Sequence, residues 1–479
     1  MRRKQDPPMS RLRPALLLAL VLAALAPAGA AASSRQVSIM QDDARVQSGS
    51  PLTRDETLDE LRALGTDVVK IQLTWRDVAP ASRPADPSSP SAYGWETVDA
   101  AVAGIRSRGM RPYLTIGGRA PDYATGRRTA RFNGTFRPSA PELELFARAA
   151  GRRYAGLVDL WSIWNEPGLT TWIQPQRDSR RRPLSPSIYR NLYLAGRRGL
   201  AATGHAGDTI LIGELAPIGS RSSNKVGPVE FIRELACLDR RYRPFRGSAR
   251  TARRCPAALP RIPTSGFAYH PYTSRRGPRS IPRARDDAPI GALSRVTRAL
   301  DRVARRGRLP GRLPLWITEF GFQTNPPDRF QVPIRRVPGY MDFSEYLAFR
   351  NRRVASYAQY TLFDIPLRGS GRDRFSDFQQ GLRFSNGRRK AGVYGAWRMP
   401  LHVKAGRGNR LGVFGGLRGA SPGTPVSLSV KTRGSYRRLA PTRLNSRGYF
   451  SVTRRARSVA RATVRVRIGS SVRAKRASR

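Results

Sequence analysis

The sequence predicts an α/β protein: a (β/α)8 TIM barrel followed by a small C-terminal all-β, sandwich-like domain. Three observations carry this expectation. Strand-like and helix-like segments alternate with regular spacing from about residue 36 to 400, the pattern of a parallel sheet covered by helices. Two apolar runs, Leu160-Trp161-Ser162-Ile163-Trp164 and Leu315-Trp316-Ile317-Thr318, each end by delivering an acid, Glu166 and Glu319. From Leu401 onward Val426, Leu428 and Val430, and again Val464, Val466 and Ile468, alternate with polar residues, as the short strands of a sandwich do. The chain therefore divides into residues 1–32, a signal peptide; 33–400, the barrel; and 401–479, a basic β-sandwich.

In chain order, Arg2, Arg3, Lys4, Arg11 and Arg13 precede an apolar run from Ala15 to Ala26, and small residues follow at 28–32. This reads as an export signal cleaved near Ala30 or Ala32, with an uncleaved anchor as the alternative; the run is too short to span a bilayer comfortably, and no later segment reads as a membrane span. The first strand is 37–41, with Asp42 and Asp43 just beyond it. Leu58, Leu61 and Leu64 recur at helical spacing before Gly65, predicting a helix over 53–64. Strand two runs over 68–75, a Pro/Ser-rich loop over 79–93, a helix over 95–108 and strand three over 111–116. A helix over 140–154 leads into the Glu166 strand, where Pro167 removes a backbone donor and stops ladder pairing. Strand five, 209–213, delivers Glu214, which lacks the neighbouring Asn and the strand-stopping Pro that mark Glu166. Strand six covers 266–272, a helix 290–306 and strand seven the Glu319 run; the last unit is a helix over 343–359 and a strand over 360–364. With units of roughly 45 residues, the two acids lie three units apart, on strands four and seven, at the carboxyl ends where such barrels keep their active sites.

Trp164-Asn165-Glu166-Pro167 followed by Ile317-Thr318-Glu319-Phe320-Gly321 resembles clan A of the retaining glycoside hydrolases. The resemblance implies that Glu166 is the proton donor, that Asn165 contacts the sugar 2-hydroxyl and that Glu319 attacks the anomeric carbon. It also implies that His270 or Tyr272 borders the nucleophile. Trp75 and Trp172 carry aromatic faces for stacking on a sugar ring, with a packed core role open for Trp75. Retention needs one carboxylate to attack and a protonated one to release the leaving group, so identical side chains must hold different protonation states. Lys70 stands where cellulase-like members have Arg, the strand-three His has no counterpart in 112–118, and the strand-eight Trp is missing from 360–365. These departures fit more distant members such as the β-xylosidase and iduronidase family. The expected function is double-displacement hydrolysis of an extracellular poly- or oligosaccharide, without cofactor. The alternative is a non-catalytic carbohydrate-binding or wall-associated protein on the same scaffold.

The chain has 87 Lys and Arg against 33 Asp and Glu, a net charge of +54. The arginines are scattered through every helix and form no aromatic-basic recognition motif, which argues against nucleic acid as partner. Residues 401–479 hold 20 Lys or Arg and no acid, so an anionic cell-wall polymer is a candidate partner for this domain. Cys237 and Cys255, the only two cysteines, bracket an Arg-rich loop; in an exported protein they are expected to pair. Three dispersed histidines, His205, His270 and His402, give no clustered zinc ligands. The expected location is secreted or wall-associated.

Overall fold

The computed structural model describes residues 36–47, 49–126, 133–219, 224–371 and 373–478; the expected signal peptide, 1–32, lies outside the described residues. Eight parallel strands close into a barrel: β1 (Val37–Gln41), β2 (Val68–Thr74), β3 (Arg111–Gly117), β4 (Leu160–Ile163), β5 (Thr209–Leu215), β6 (Gly266–Tyr269), β7 (Leu315–Ile317) and β8 (Val354–Tyr360). Each strand pairs with its sequence neighbours, and β8 closes on β1 with Gln41 opposite Tyr360. The strands are buried on both faces, as helix-covered parallel sheets are; Ile39, Ile71, Leu114, Leu211 and Phe267 are wholly inaccessible.

The outer ring consists of α1 (Pro51–Ala63), α2 (Glu96–Ser107), α3 (Ala140–Arg153), α4 (Ser185–Leu200), α5 (Pro228–Leu235), α6 (Leu293–Arg305), α7 (Val337–Arg350) and the short α8 (Val393–Arg398). Ser50 caps α1 by accepting from Thr53 N, and Ser139 caps α3 by accepting from Glu142 N, each satisfying an orphan donor of the first turn. In α6 the apolar stripe Leu293, Val296, Ala299, Leu300 and Val303 is buried, leaving its arginines to solvent.

Several element boundaries differ from the sequence reading, strand six among them, which stops at Tyr269 instead of 272. Strand two stops at Thr74, and Trp75 opens a helical turn. Strand five continues through Glu214 to Leu215. The last helix ends at Arg350 and strand eight runs Val354–Tyr360, starting six residues before the expected 360. Ala355, Ala358 and Gln359 are good helix formers, but Val354, Tyr357 and their neighbours pair with β1 and β7, and burial in the closing gap outweighs that propensity. Cys237 and Cys255 are joined by a disulfide, with Cα atoms 5.8 Å apart.

The C-terminal strands form two antiparallel sheets. One, of three strands, orders β9 (Leu401–Gly406), β10 (Arg410–Gly416) and β13 (Tyr449–Arg455); the other, of four, orders β12 (Arg437–Arg443), β11 (Pro425–Lys431), β14 (Thr463–Ile468) and β15 (Ser471–Arg476). Leu401, Val403, Leu411 and Val413 from the first sheet share one apolar core with Val426, Leu428, Val464 and Val466 from the second, so the sheets pack face to face. The sandwich is fastened to α7 and α8. Arg418 pairs with buried Glu345 and stacks 3.8 Å over the Trp397 ring, and Tyr449 OH donates to Glu345 at 2.6 Å. Asp342 accepts from Leu401 N, Arg473 and Lys475.

Candidate active site

Glu166 and Glu319 emerge beyond β4 and β7 at the carboxyl end of the barrel. The chain after β4 is held in left-handed backbone, with φ of 69° at Trp164 and 33° at Glu166. Such positions cost about 1–3 kcal/mol each and persist where the surroundings over-determine them. Gly117 at the end of β3 makes the neighbouring space, because a Cβ there would lie 2.7 Å from the Trp164 ring. The turn is tied to β5 by Glu166 N, which donates to Glu214 O at 3.0 Å.

His270 stands between the two acids. Its Nδ1 lies 3.0 Å from Glu166 Oε1 and 3.5 Å from Glu319 Oε2. One oxygen from each acid and the His270 nitrogen all fall within 4.8 Å of one another. Tyr272 OH donates to Glu319 Oε2 at 3.3 Å. The Glu166 and Glu319 side chains retain 16% and 10% of their exposure, so both are reachable but largely desolvated. Burial, then Glu319 and other nearby acids, raises the Tyr272 phenol well above its ordinary range and keeps it a donor.

Asn165, between Trp164 and Glu166, is buried, and its Oδ1 has no hydrogen-bond partner among the described residues. A buried amide oxygen left unpaired is a costly feature that a ligand donor would relieve. Trp172 is half-buried beside the backbone of Gly118, and Trp164 Nε1 fixes its loop by donating to Trp172 O at 3.1 Å. A cavity of about 200 Å³ opens beside Tyr272, lined also by Arg275, Gly321, Phe322, Phe378 and Gln380.

Trp75 does not join the site. Its indole is wholly buried, stacked 5.4 Å from Phe146 of α3 and edge-on to Tyr123. The chain turns into a helix at Trp75 instead of extending, which swings the ring outward into the barrel–helix core. The stacking role expected of it is therefore corrected to packing.

Sequence reading missed the group beneath the acids. Lys70 Nζ on β2 bridges Glu319 Oε1 at 2.9 Å and Glu214 Oε2 at 3.1 Å. A register shift between β5 and β6 around Gly213 and Leu215, with φ of 50° at Glu214, turns that carboxylate inward. There it accepts from Tyr113 OH, from Ser162 Oγ at 2.7 Å and from Thr318 Oγ1 at 2.7 Å, and it meets His270 Nε2. Burial alone would raise the Glu214 carboxyl; Lys70, His270 and Tyr113 outweigh it and hold the group well below the usual carboxylate range. Burial would likewise lower His270, but Glu319 and the bonds to Glu166 and Glu214 push it up to about 9. The available signal was Lys70 itself, since a lysine midway along a doubly buried strand must find a carboxylate.

Glu166, His270 and Glu319 also form a trio of ligand type whose atoms converge closely enough for a cation. His270 faces carboxylates through both nitrogens and Lys70 occupies one side of Glu319. The Lys70 ammonium thus already sets a positive charge beside this trio.

No protein-family model and no curated protein matches the chain. Among solved structures it is similar to a family 39 glycoside hydrolase from Bacteroides cellulosilyticus WH2, at 14% identity and a TM-score of 0.52, over 88% of this chain and 81% of that one. It is also similar to a glucosidase from Croceicoccus marinus, at 12% identity and a TM-score of 0.50, over 93% and 97% respectively. At such identities the likeness is one of fold: this chain shares the barrel architecture of those two proteins along most of its length.

Proposed function

We propose that the protein is a retaining glycoside hydrolase acting on an extracellular poly- or oligosaccharide. The carrying observation is the pair of acids from β4 and β7 with oxygens within 4.8 Å of each other. That closeness suits a covalent double displacement, whose carboxyl groups stand about 5–5.5 Å apart, better than an inverting site, whose groups stand about 6.5–9.5 Å apart. The resemblance of both motifs and the printed activities of the two similar structures support the same reading.

In the first step a Glu319 oxygen bonds to the anomeric carbon as the glycosidic C–O bond breaks, and the Glu166 proton passes to the leaving oxygen. In the second, Glu166 takes a proton from water, the water oxygen attacks the anomeric carbon and Glu319 is released. Lys70 and Tyr272 orient the nucleophile, Asn165 receives a sugar hydroxyl through its free Oδ1, and Trp172 offers a stacking face. Turnover of an aryl glycoside panel tests this. Glu166→Gln is expected to lower kcat by about 10²–10⁴-fold, Glu319→Gln to abolish it, and a 2-fluoro glycoside to label Glu319. Carbohydrate binding without turnover in the wild type would favour the non-catalytic scaffold instead. The disulfide is consistent with export, in keeping with the amino-terminal signal.

The four-stranded sheet supports a second, separate role in anchoring to an anionic wall polymer. Lys431, Arg438, Arg465, Arg467 and Arg476 are exposed at outward positions of its adjoining strands. None of them has a carboxylate partner among the described residues, and Arg465 stacks 3.7 Å over Tyr436. Sedimentation of the full chain with a polyanionic polysaccharide at low salt tests the role. Binding should weaken with salt and with combined Arg438→Ser, Arg465→Ser and Arg467→Ser; no binding at low salt would remove it.

A further inference from the structure

Beneath the two acids lies a third that substrate cannot touch. Glu214 has no exposed surface, yet donors from five other parts of the barrel converge on it: Lys70 from β2, Tyr113 from β3, Ser162 from β4, His270 beyond β6 and Thr318 beyond β7. Those donors saturate both of its oxygens, so it is an acceptor only, as an ionised carboxylate is.

The consequence falls on His270. A neutral imidazole has one donor and one acceptor nitrogen, but here each ring nitrogen faces carboxylate oxygens: Nε2 meets Glu214, and Nδ1 meets Glu166 and Glu319. A ring lone pair set against Glu214 would be repelled, whereas an N–H on each side makes a charge-assisted bond. We propose that Glu214, seconded by Lys70, is a positioning residue that holds His270 as a doubly protonated imidazolium, aimed from below at the Glu166–Glu319 pair.

The arrangement has a use in the reaction. When Glu166 gives its proton to the leaving oxygen it becomes an anion beside a fixed N–H 3.0 Å away, a preorganised donor of the kind that stabilises charge where it develops. The groups facing His270 are Lys70 from β2, Glu166 from the β4 end, Glu214 from β5, Tyr272 from its own loop and Glu319 from the β7 end. Of these the Lys70 ammonium opposes a charged ring, while the Glu214 and Glu319 carboxylates favour it, and Glu166 joins them once it has given up its proton.

The role in catalysis rests on the glycosidase reading, but the state of the ring does not, so the test separates them. The protein labelled with ¹⁵N-histidine carries three imidazoles, His205, His270 and His402; His270→Asn identifies the signal of interest by its loss. At pH 7.5 both nitrogens of His270 should read as protonated in the wild type. In Glu214→Gln the ring should titrate at least one pH unit lower, and the alkaline limb of kcat should move down with it while KM stays nearly constant. A neutral, single-tautomer His270 in the wild type at pH 7.5 would overturn the proposal, as would a titration indifferent to Glu214→Gln in a folded variant. If that variant does not fold, the wild-type spectrum decides by itself. Absence of any glycosidase turnover, with His270 doubly protonated, would sink the glycosidase reading and leave the ring assignment standing.

Discussion

The barrel mouth and the outer face of the C-terminal sheet are both built from charged residues, and they treat charge in opposite ways. At the mouth, Lys70, His270, Glu214 and Glu319 are buried and interlocked, each bonded to at least one group of opposite sign. On the sheet, Arg467 and Arg476 stand in solvent without a carboxylate partner among the described residues. A charge taken out of water must be paired, and removing one partner strands the other; a charge left in water needs nothing and contributes little. The difference teaches which of the many cations of this chain are structural. They are the few that penetrate the core, among them Lys70, Arg190, Arg418 and Lys390, the last gripping Asp364 at 2.7 Å, and not the many that cover the surface.

Breaking the buried network should have the largest effect. Lys70→Met leaves Glu214 and Glu319 facing each other without their shared cation, and is expected to lower stability by about 3–5 kcal/mol, read from urea unfolding, with loss of turnover. Opening the disulfide by Cys237→Ser frees the loop that closes on Cys255, for an expected loss of about 3 kcal/mol, measured the same way under oxidising conditions.

The contrast also sharpens with pH. Because His270 is raised in the folded protein from 6.5 to about 9, its contribution to stability is complete below pH 6.5 and lost as pH rises through about 9. Melting temperature should therefore decline across that interval in the wild type and decline less in His270→Asn. The smallest effect is expected on the sheet: Arg467→Ser should change stability by less than about 0.5 kcal/mol while reducing any binding to polyanions. A comparable loss for Arg467→Ser and Lys70→Met would erase the distinction between the two regions.

Much of this was legible in the linear chain because it depends on local pattern. The alternation of apolar strands with amphipathic helices is a property of neighbouring residues, and so is the delivery of Glu166 and Glu319 at the ends of apolar runs. His270 and Tyr272 were singled out only through the family resemblance, because the expected strand six ran through both of them and its true end at Tyr269 was not legible. The boundary of strand eight was not found, since Ala355, Ala358 and Gln359 favour helix locally and are drawn into the sheet only by the gap between β7 and β1.

The amino-acid order by itself determined the barrel, the β-sandwich and the two acids, because periodicity and strand-end chemistry are written over a few residues at a time. Tertiary structure alone decided that Trp75 packs on Phe146, that Lys70 reaches both Glu214 and Glu319, and that Glu214 lies under the pair instead of within it. Lys70 and Glu319 are separated by 249 positions. Their meeting follows from closure of the barrel, where desolvation forces opposite charges together across a distance no local pattern records.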